Sequence, residues 1–95
     1  MLLNTSGKLT FLRVNEDSGF GPAEDFIDVE VVILLDSEPG RAFGFQLRND
    51  NYLPARRGYL DLLRDAFNQQ WTTNIDYRID PGRNNAVICR VWLTK

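Results

Sequence analysis

Between residues 25 and 36 every second side chain is apolar, namely Ile27, Val29, Val31, Ile33 and Leu35, the period-two pattern of a strand with one buried face. The alternate positions change from Asp28 and Glu30 to Val32 and Leu34, so the opposite face begins in water and ends against something apolar. At about 3.3 Å per residue such a strand spans well over roughly 30 Å, a length that a small domain uses by bending it around a barrel or across two sheets.

The same alternation predicts four further strands. Residues 8–15 set Leu9, Phe11 and Arg13 against Thr10, Leu12 and Val14, without indicating which face is inward. After a turn at Pro39 and Gly40, residues 42–48 set Phe43, Phe45 and Leu47 against Ala42, Gly44, Gln46 and Arg48. Gly44 there marks a bend, or the close approach of another backbone or ligand. Residues 73–80 place Ile75, Tyr77 and Ile79 on one face, and residues 86–93 place Val87, Cys89, Val91 and Leu93 inward with Ile88, Arg90 and Trp92 outward. Helical spacing occurs once, over residues 55–70, where Tyr59, Leu62, Leu63, Ala66 and Phe67 share a face with Leu60 on its flank. Gly58 costs that helix about 1 kcal/mol relative to alanine, so it predicts tight packing. The expected core is Val29, Val31, Ile33, Phe43, Phe45, Leu63, Phe67, Ile75, Tyr77, Val87 and Val91.

Two connections carry candidate contact residues. Residues 15–24 hold two glycines, a proline and several acids, and present Phe20 between Gly19 and Gly21. Phe20 there either meets a ligand or tucks back onto the sheet. Residues 81–85 form a short polar turn ending in Arg83, Asn84 and Asn85. Arg56 and Arg57 lie near the positive end of the helix dipole, where a cation is unfavourable without an anionic partner; the alternatives are solvation or a salt bridge to a neighbouring chain.

Composition narrows the chemistry. The 95 residues, 43% hydrophobic and 25% charged, predict one domain over residues 1–95 with a modest core that needs no disulfide. Histidine is absent and Cys89 is the only cysteine, which removes the usual catalytic triads, most zinc sites and any intrachain disulfide. The only lysines are Lys8 and Lys95, Cys89 alternates with core positions, and the acids between Glu16 and Asp28 do not follow EF-hand spacing. No enzyme activity, cofactor or metal is therefore expected. A net charge of −2 gives no general attraction to nucleic acid or anionic membrane. Neither a signal-peptide core nor a run long enough to span a bilayer occurs, so an intracellular, cytoplasmic protein is expected, or a secreted one if a precursor has been processed.

The order strand, long strand, strand, helix, strand, strand resembles the OB-fold, a five-stranded Greek-key barrel with its helix between strands three and four. The half from Arg57 through the helix to the paired strands at 74–80 and 86–93 resembles, in layout, the pentamer-forming B subunits of cholera-type and Shiga-type bacterial toxins. The chain lacks the cysteine pair of those subunits. The resemblance implies a mainly β, α+β domain, an oligomerising OB module that binds sugar.

The expected function is thus a non-enzymatic binding module that recognises a carbohydrate or a protein partner through Phe20, Arg83, Asn84 and Asn85. A single-stranded nucleic-acid-binding OB protein and a purely structural adaptor are the alternatives. Self-association as a ring or dimer is expected because Val32, Leu34, Ile88 and Trp92 lie opposite the core-facing positions, with Arg56, Arg57 or Arg90 meeting Asp28 and Glu30 of a neighbour.

Overall fold

The computed structural model describes residues 2–95. Its elements run β1 (Leu3–Gly7), β2 (Leu9–Val14), β3 (Val31–Leu35), β4 (Phe43–Phe45), α1 (Leu53–Gln69), β5 (Thr72–Arg78) and β6 (Ala86–Thr94), with one turn of 3-10 helix at Ala23–Asp25. The protein is mainly β with one helix. All six strands form one mixed sheet in the order β1-β5-β6-β4-β3-β2, antiparallel except where β4 lies parallel to β6.

Six strands stand where five were expected, and no ladder joins the edge strands β1 and β2, so the sheet is open. These edges are consecutive in the chain with only Lys8 between them. Gly7 permits the break, since a Cβ there would sit 2.5 Å from Ser37 Oγ and 2.7 Å from Asp36 Oδ1. Lys8 then turns to the end of β3, donating its N–H to Asp36 Oδ1 at 2.8 Å and accepting from the Asp36 N–H at 2.9 Å. Periodicity missed β1 because Leu3–Gly7 is largely polar. Its side chains instead bond across to β5, with Ser6 Oγ 2.6 Å from Asn74 Oδ1 and Asn4 Nδ2 3.1 Å from the Ile75 carbonyl.

The long strand is shorter than its pattern. Only Val31–Leu35 joins the ladder; residues 15–30 fold back as an irregular hairpin, tied by the Phe20 and Ile27 bridge and by Gly19 N–H to Val29 O at 2.9 Å. Ile27 and Val29 are still buried, so the alternation reports burial correctly without the strand. Gly44 is a close approach rather than a bend: a Cβ on it would lie 2.5 Å from Val29 Cγ2 and 2.8 Å from the Val31 carbonyl oxygen.

The folded-back hairpin divides the interior in two. Leu9, Val31, Ile33, Leu35, Phe43, Phe45, Leu63 and Ile75 anchor the main core, with Tyr59 and Leu60 of α1 packed against it. Ile27, Val29, Val32 and Ala42 form a second cluster with Phe11, Phe20, Leu34 and Val87. β3 therefore buries both faces, which its unbroken Val-Val-Ile-Leu-Leu run suits. Two irregularities shift the side-chain phase. On β2 the register slips between Leu9 and Phe11, so Leu9 and Leu12 serve the main core while Phe11 serves the second cluster. On β6 the partners Tyr77 with Ile88 and Asp76 with Arg90 leave Cys89 unpaired as a bulge. Ala86, Ile88 and Val91 then point inward, correcting the expected set Val87, Cys89, Val91 and Leu93. Tyr59 of α1 caps the bulge, its Oη donating to the Cys89 carbonyl at 2.7 Å.

Helix α1 buries Leu63 and Ala66, whereas Phe67, expected in the core, is 41% exposed. A methyl group on Gly58 would meet nothing within 4 Å, so this glycine marks open space and not tight packing.

Candidate functional site

The hairpin 15–30 and the turn 80–85 meet through one carboxylate. Asp25 Oδ1 accepts from the backbone N–H groups of Asn84 and Asn85, both at 2.8 Å, and Asn85 Nδ2 returns a bond of 2.9 Å to the Asp25 carbonyl. These two backbone donors, and nearby Arg83 and Arg41, hold the Asp25 carboxyl below the usual carboxylate range. Gly21, at φ +97°, lets the chain pass, since a Cβ there would lie 2.6 Å from the Asp25 carbonyl oxygen.

This clamp consumes most of the expected ligand set. Asn85 Oδ1 accepts from the Ala42 N–H at 3.0 Å, and Asn84 donates to the Gly40 carbonyl at 2.7 Å and accepts from Arg41 Nη2 at 3.1 Å. Both asparagines are thus fasteners between loops. Phe20 tucks back into the second cluster with the Arg13 guanidinium 5.2 Å from its ring centre. Arg83 alone among the four faces a cavity, donating one bond of 2.9 Å to the Phe26 carbonyl.

That cavity, of about 350 Å³, opens between the hairpin, the 80–85 turn and the first turn of α1. Ile27, Val29 and Val87 form an apolar wall, with Phe26 at its rim, 44% exposed. Asp28 and Asp80 supply acceptors, Arg56 and Arg83 donors, and Gln46 an amide. Gln46 is steadied by a bond of 3.1 Å from its Nε2 to the Asp28 carbonyl. Phe26, Gln46 and Asp80 leave no signal in the sequence, because their spacing marks Gln46 and Asp80 only as polar positions of strands 42–48 and 73–80 and gives Phe26 no partner.

Arg48 braces this wall from behind. Its guanidinium lies 2.7 Å from Asp28 Oδ1 and 2.8 Å from Glu30 Oε2, and Glu30 Oε1 also accepts the Leu47 N–H at 2.9 Å. The arginine hydrogen bonds lower both carboxyl groups below their ordinary values. Asp28 and Glu30 therefore have a cation within the chain, in Arg48. Arg90 likewise reaches Asp76 at 3.3 Å, and Arg56 reaches Asp50 at 3.4 Å while lying 4.8 Å from the Tyr52 ring centre; Arg57 is exposed. Among the described residues no three acidic or sulfur side chains gather as a metal site.

A second cavity of about 270 Å³ adjoins the first and shares Arg56 and Val87 with it. Tyr52, Ala55, Tyr59, Arg78, Ile88 and Cys89 complete it. Burial pushes the Tyr59 phenol up from its ordinary range.

The predicted interface residues separate. Val32 is fully buried in the second cluster and Ile88 is 3% exposed in the main core, so neither reaches the surface; the hairpin covers the first and the Cys89 bulge turns the second inward. Leu34 is partly covered and Trp92 remains 36% exposed. No helix among the described residues is long and apolar enough to cross a membrane. Compared with models of protein families, with curated proteins and with solved structures, the chain matches none.

Proposed function

We propose that this chain is a non-enzymatic binding module of OB-like design that takes a carbohydrate in the cleft between the 15–30 hairpin, the 80–85 turn and the first turn of α1. The fold part of this reading is supported by counting β1 and β2 as two halves of one strand broken at Lys8. Five strands then remain, with the helix between the third and fourth, and the cleft lies at the two loops through which partly open OB barrels bind oligomers. The carrying observation is the cleft's lining: carboxylates Asp28 and Asp80 stand beside Arg56, Arg83 and Gln46 along an apolar wall that ends in exposed Phe26. A polyhydroxylated ligand offers donors and acceptors together with an apolar ring face, and so matches each part. A phosphate backbone would meet two carboxylates.

Exposed Phe26 and Tyr52, flanking Arg56 and Arg83, favour single-stranded nucleic acid as the second reading, through stacking on aromatic platforms. A glycan array and a fluorescence titration with labelled single-stranded DNA at two salt concentrations separate them. Glycan binding that Phe26→Ala and Arg83→Gln both abolish is the expected result. Salt-sensitive, submicromolar DNA binding would replace the sugar, and silence in both assays would leave a protein-binding or structural role.

A further inference from the structure

We infer that the smaller cavity, between Tyr52, Arg56, Tyr59 and Arg78, is a subsite for a small anionic group, a carboxylate or a phosphate ester. The chain carries a net charge of −2, yet two guanidinium groups line this one cavity of about 270 Å³. Arg78 makes no ion pair among the described residues. Arg56 has a single carboxylate contact, to Asp50 at the long distance of 3.4 Å, and its side chain is only 19% exposed. The Tyr52 ring centre lies 4.8 Å from that guanidinium, a cation–π contact. Tyr59 Oη already donates its hydrogen bond to the Cys89 carbonyl, and Val87 and Ile88 supply apolar walls, so the two arginines, with the Tyr52 hydroxyl, are the cavity's open donors. A planar fork with apolar backing binds carboxylate and phosphate oxygens in pairs, and at Arg56, though not at exposed Arg78, partial exclusion of water strengthens that attraction. The first turn of α1 bears no acidic residue to offset its arginines, so a bound anion would also relieve their unfavourable position on the helix dipole.

The subsite does not depend on the sugar reading, because bare anions test it. Inorganic phosphate and acetate, titrated separately at fixed ionic strength, are followed by NMR at the Ala55 and Arg56 amides and at the Nε–H groups of Arg56 and Arg78. Saturable shifts confined to this cavity are expected, and the anion that saturates identifies the source, phosphate ester or carboxylate. Arg56→Gln and Arg78→Gln should each weaken binding about tenfold, the loss of one charge-assisted pair. Asp50→Asn, which removes the competing carboxylate, should tighten it. Arg57→Gln, in the same helical turn but outside the cavity, should leave it unchanged. Shifts that never saturate, or that fall as much in Arg57→Gln as in Arg78→Gln, would mean diffuse attraction and overturn the subsite. Cooperative melting of each variant shows beforehand that it is folded.

Discussion

Asp25 and Asn85, sixty residues apart in the chain, bond to each other twice: the Asn85 N–H meets the Asp25 carboxylate at 2.8 Å, and the Asn85 side chain meets the Asp25 carbonyl at 2.9 Å. With the Asn84 N–H on the same oxygen, one half-buried carboxylate fixes the spacing of the two loops that border the cleft. Asp25→Ala should therefore speed hydrogen exchange at the Asn84 and Asn85 amides and lower the melting temperature, while amides of β5 stay protected. Asp25→Asn keeps an acceptor and should fall between. Unchanged exchange in Asp25→Ala would show that the turn holds its shape unaided.

Acid should loosen the same region. Asp25, Asp28 and Glu30 all have carboxyl groups lowered in the folded protein, by backbone donors in the first case and chiefly by Arg48 in the other two. Their stabilisation is complete above the ordinary carboxylate range, near about pH 4, and is lost as pH falls through the lower folded values. Melting temperature should drop between about pH 5 and pH 2. In Arg48→Gln the part of that slope due to Asp28 and Glu30 should flatten, with a lower plateau at neutral pH.

Two glycines should respond oppositely to alanine. Gly58 faces open space on α1, so Gly58→Ala should raise stability by about 1 kcal/mol through helix propensity alone. In Gly44→Ala the new methyl would strike Val29 and the Val31 carbonyl, and overpacking of that kind costs about 1–3 kcal/mol. Chemical denaturation of both variants checks the pair.

Val32 decides between an interior and an interface. Fully buried in the second cluster, it should cost about 2–3 kcal/mol when cut to alanine. With Val32 and Ile88 inside, only Leu34 and Trp92 of the four expected interface residues reach the surface, and light scattering at tens of micromolar should give a mass near the 10.9 kDa of one chain. A larger particle that Trp92→Glu dissociates without unfolding would restore self-association.

The legible parts of the fold were those in which a local period matched one environment. Leu63 and Ala66 on the helix, and Phe43 and Phe45 on β4, are inward as their spacing predicts. Parity failed on β6 because the extra residue at Cys89 exchanges the faces halfway along, and a bulge leaves no mark in a pattern of apolar residues. β1 was invisible because its partners are polar side chains on β5. At the site, the hairpin and the 80–85 turn were recognisable as loops. Their roles were not: Asn84 and Asn85 have the composition of ligand contacts but spend their bonds on Gly40, Ala42 and Asp25, a pairing that only the folded chain reveals.

The break at Lys8 makes the first strand separable. Leu3–Gly7 joins the sheet through β5 alone, in a five-residue antiparallel register, whereas the chain beyond Lys8 belongs to β3. A chain beginning at Lys8 would keep both apolar clusters and uncover the β5 edge from Thr73 to Tyr77, a template for an extended peptide with the right polar alternation. A synthetic copy of residues 2–7, added in trans to such a shortened chain, would find that edge open and restore the sixth strand of the sheet.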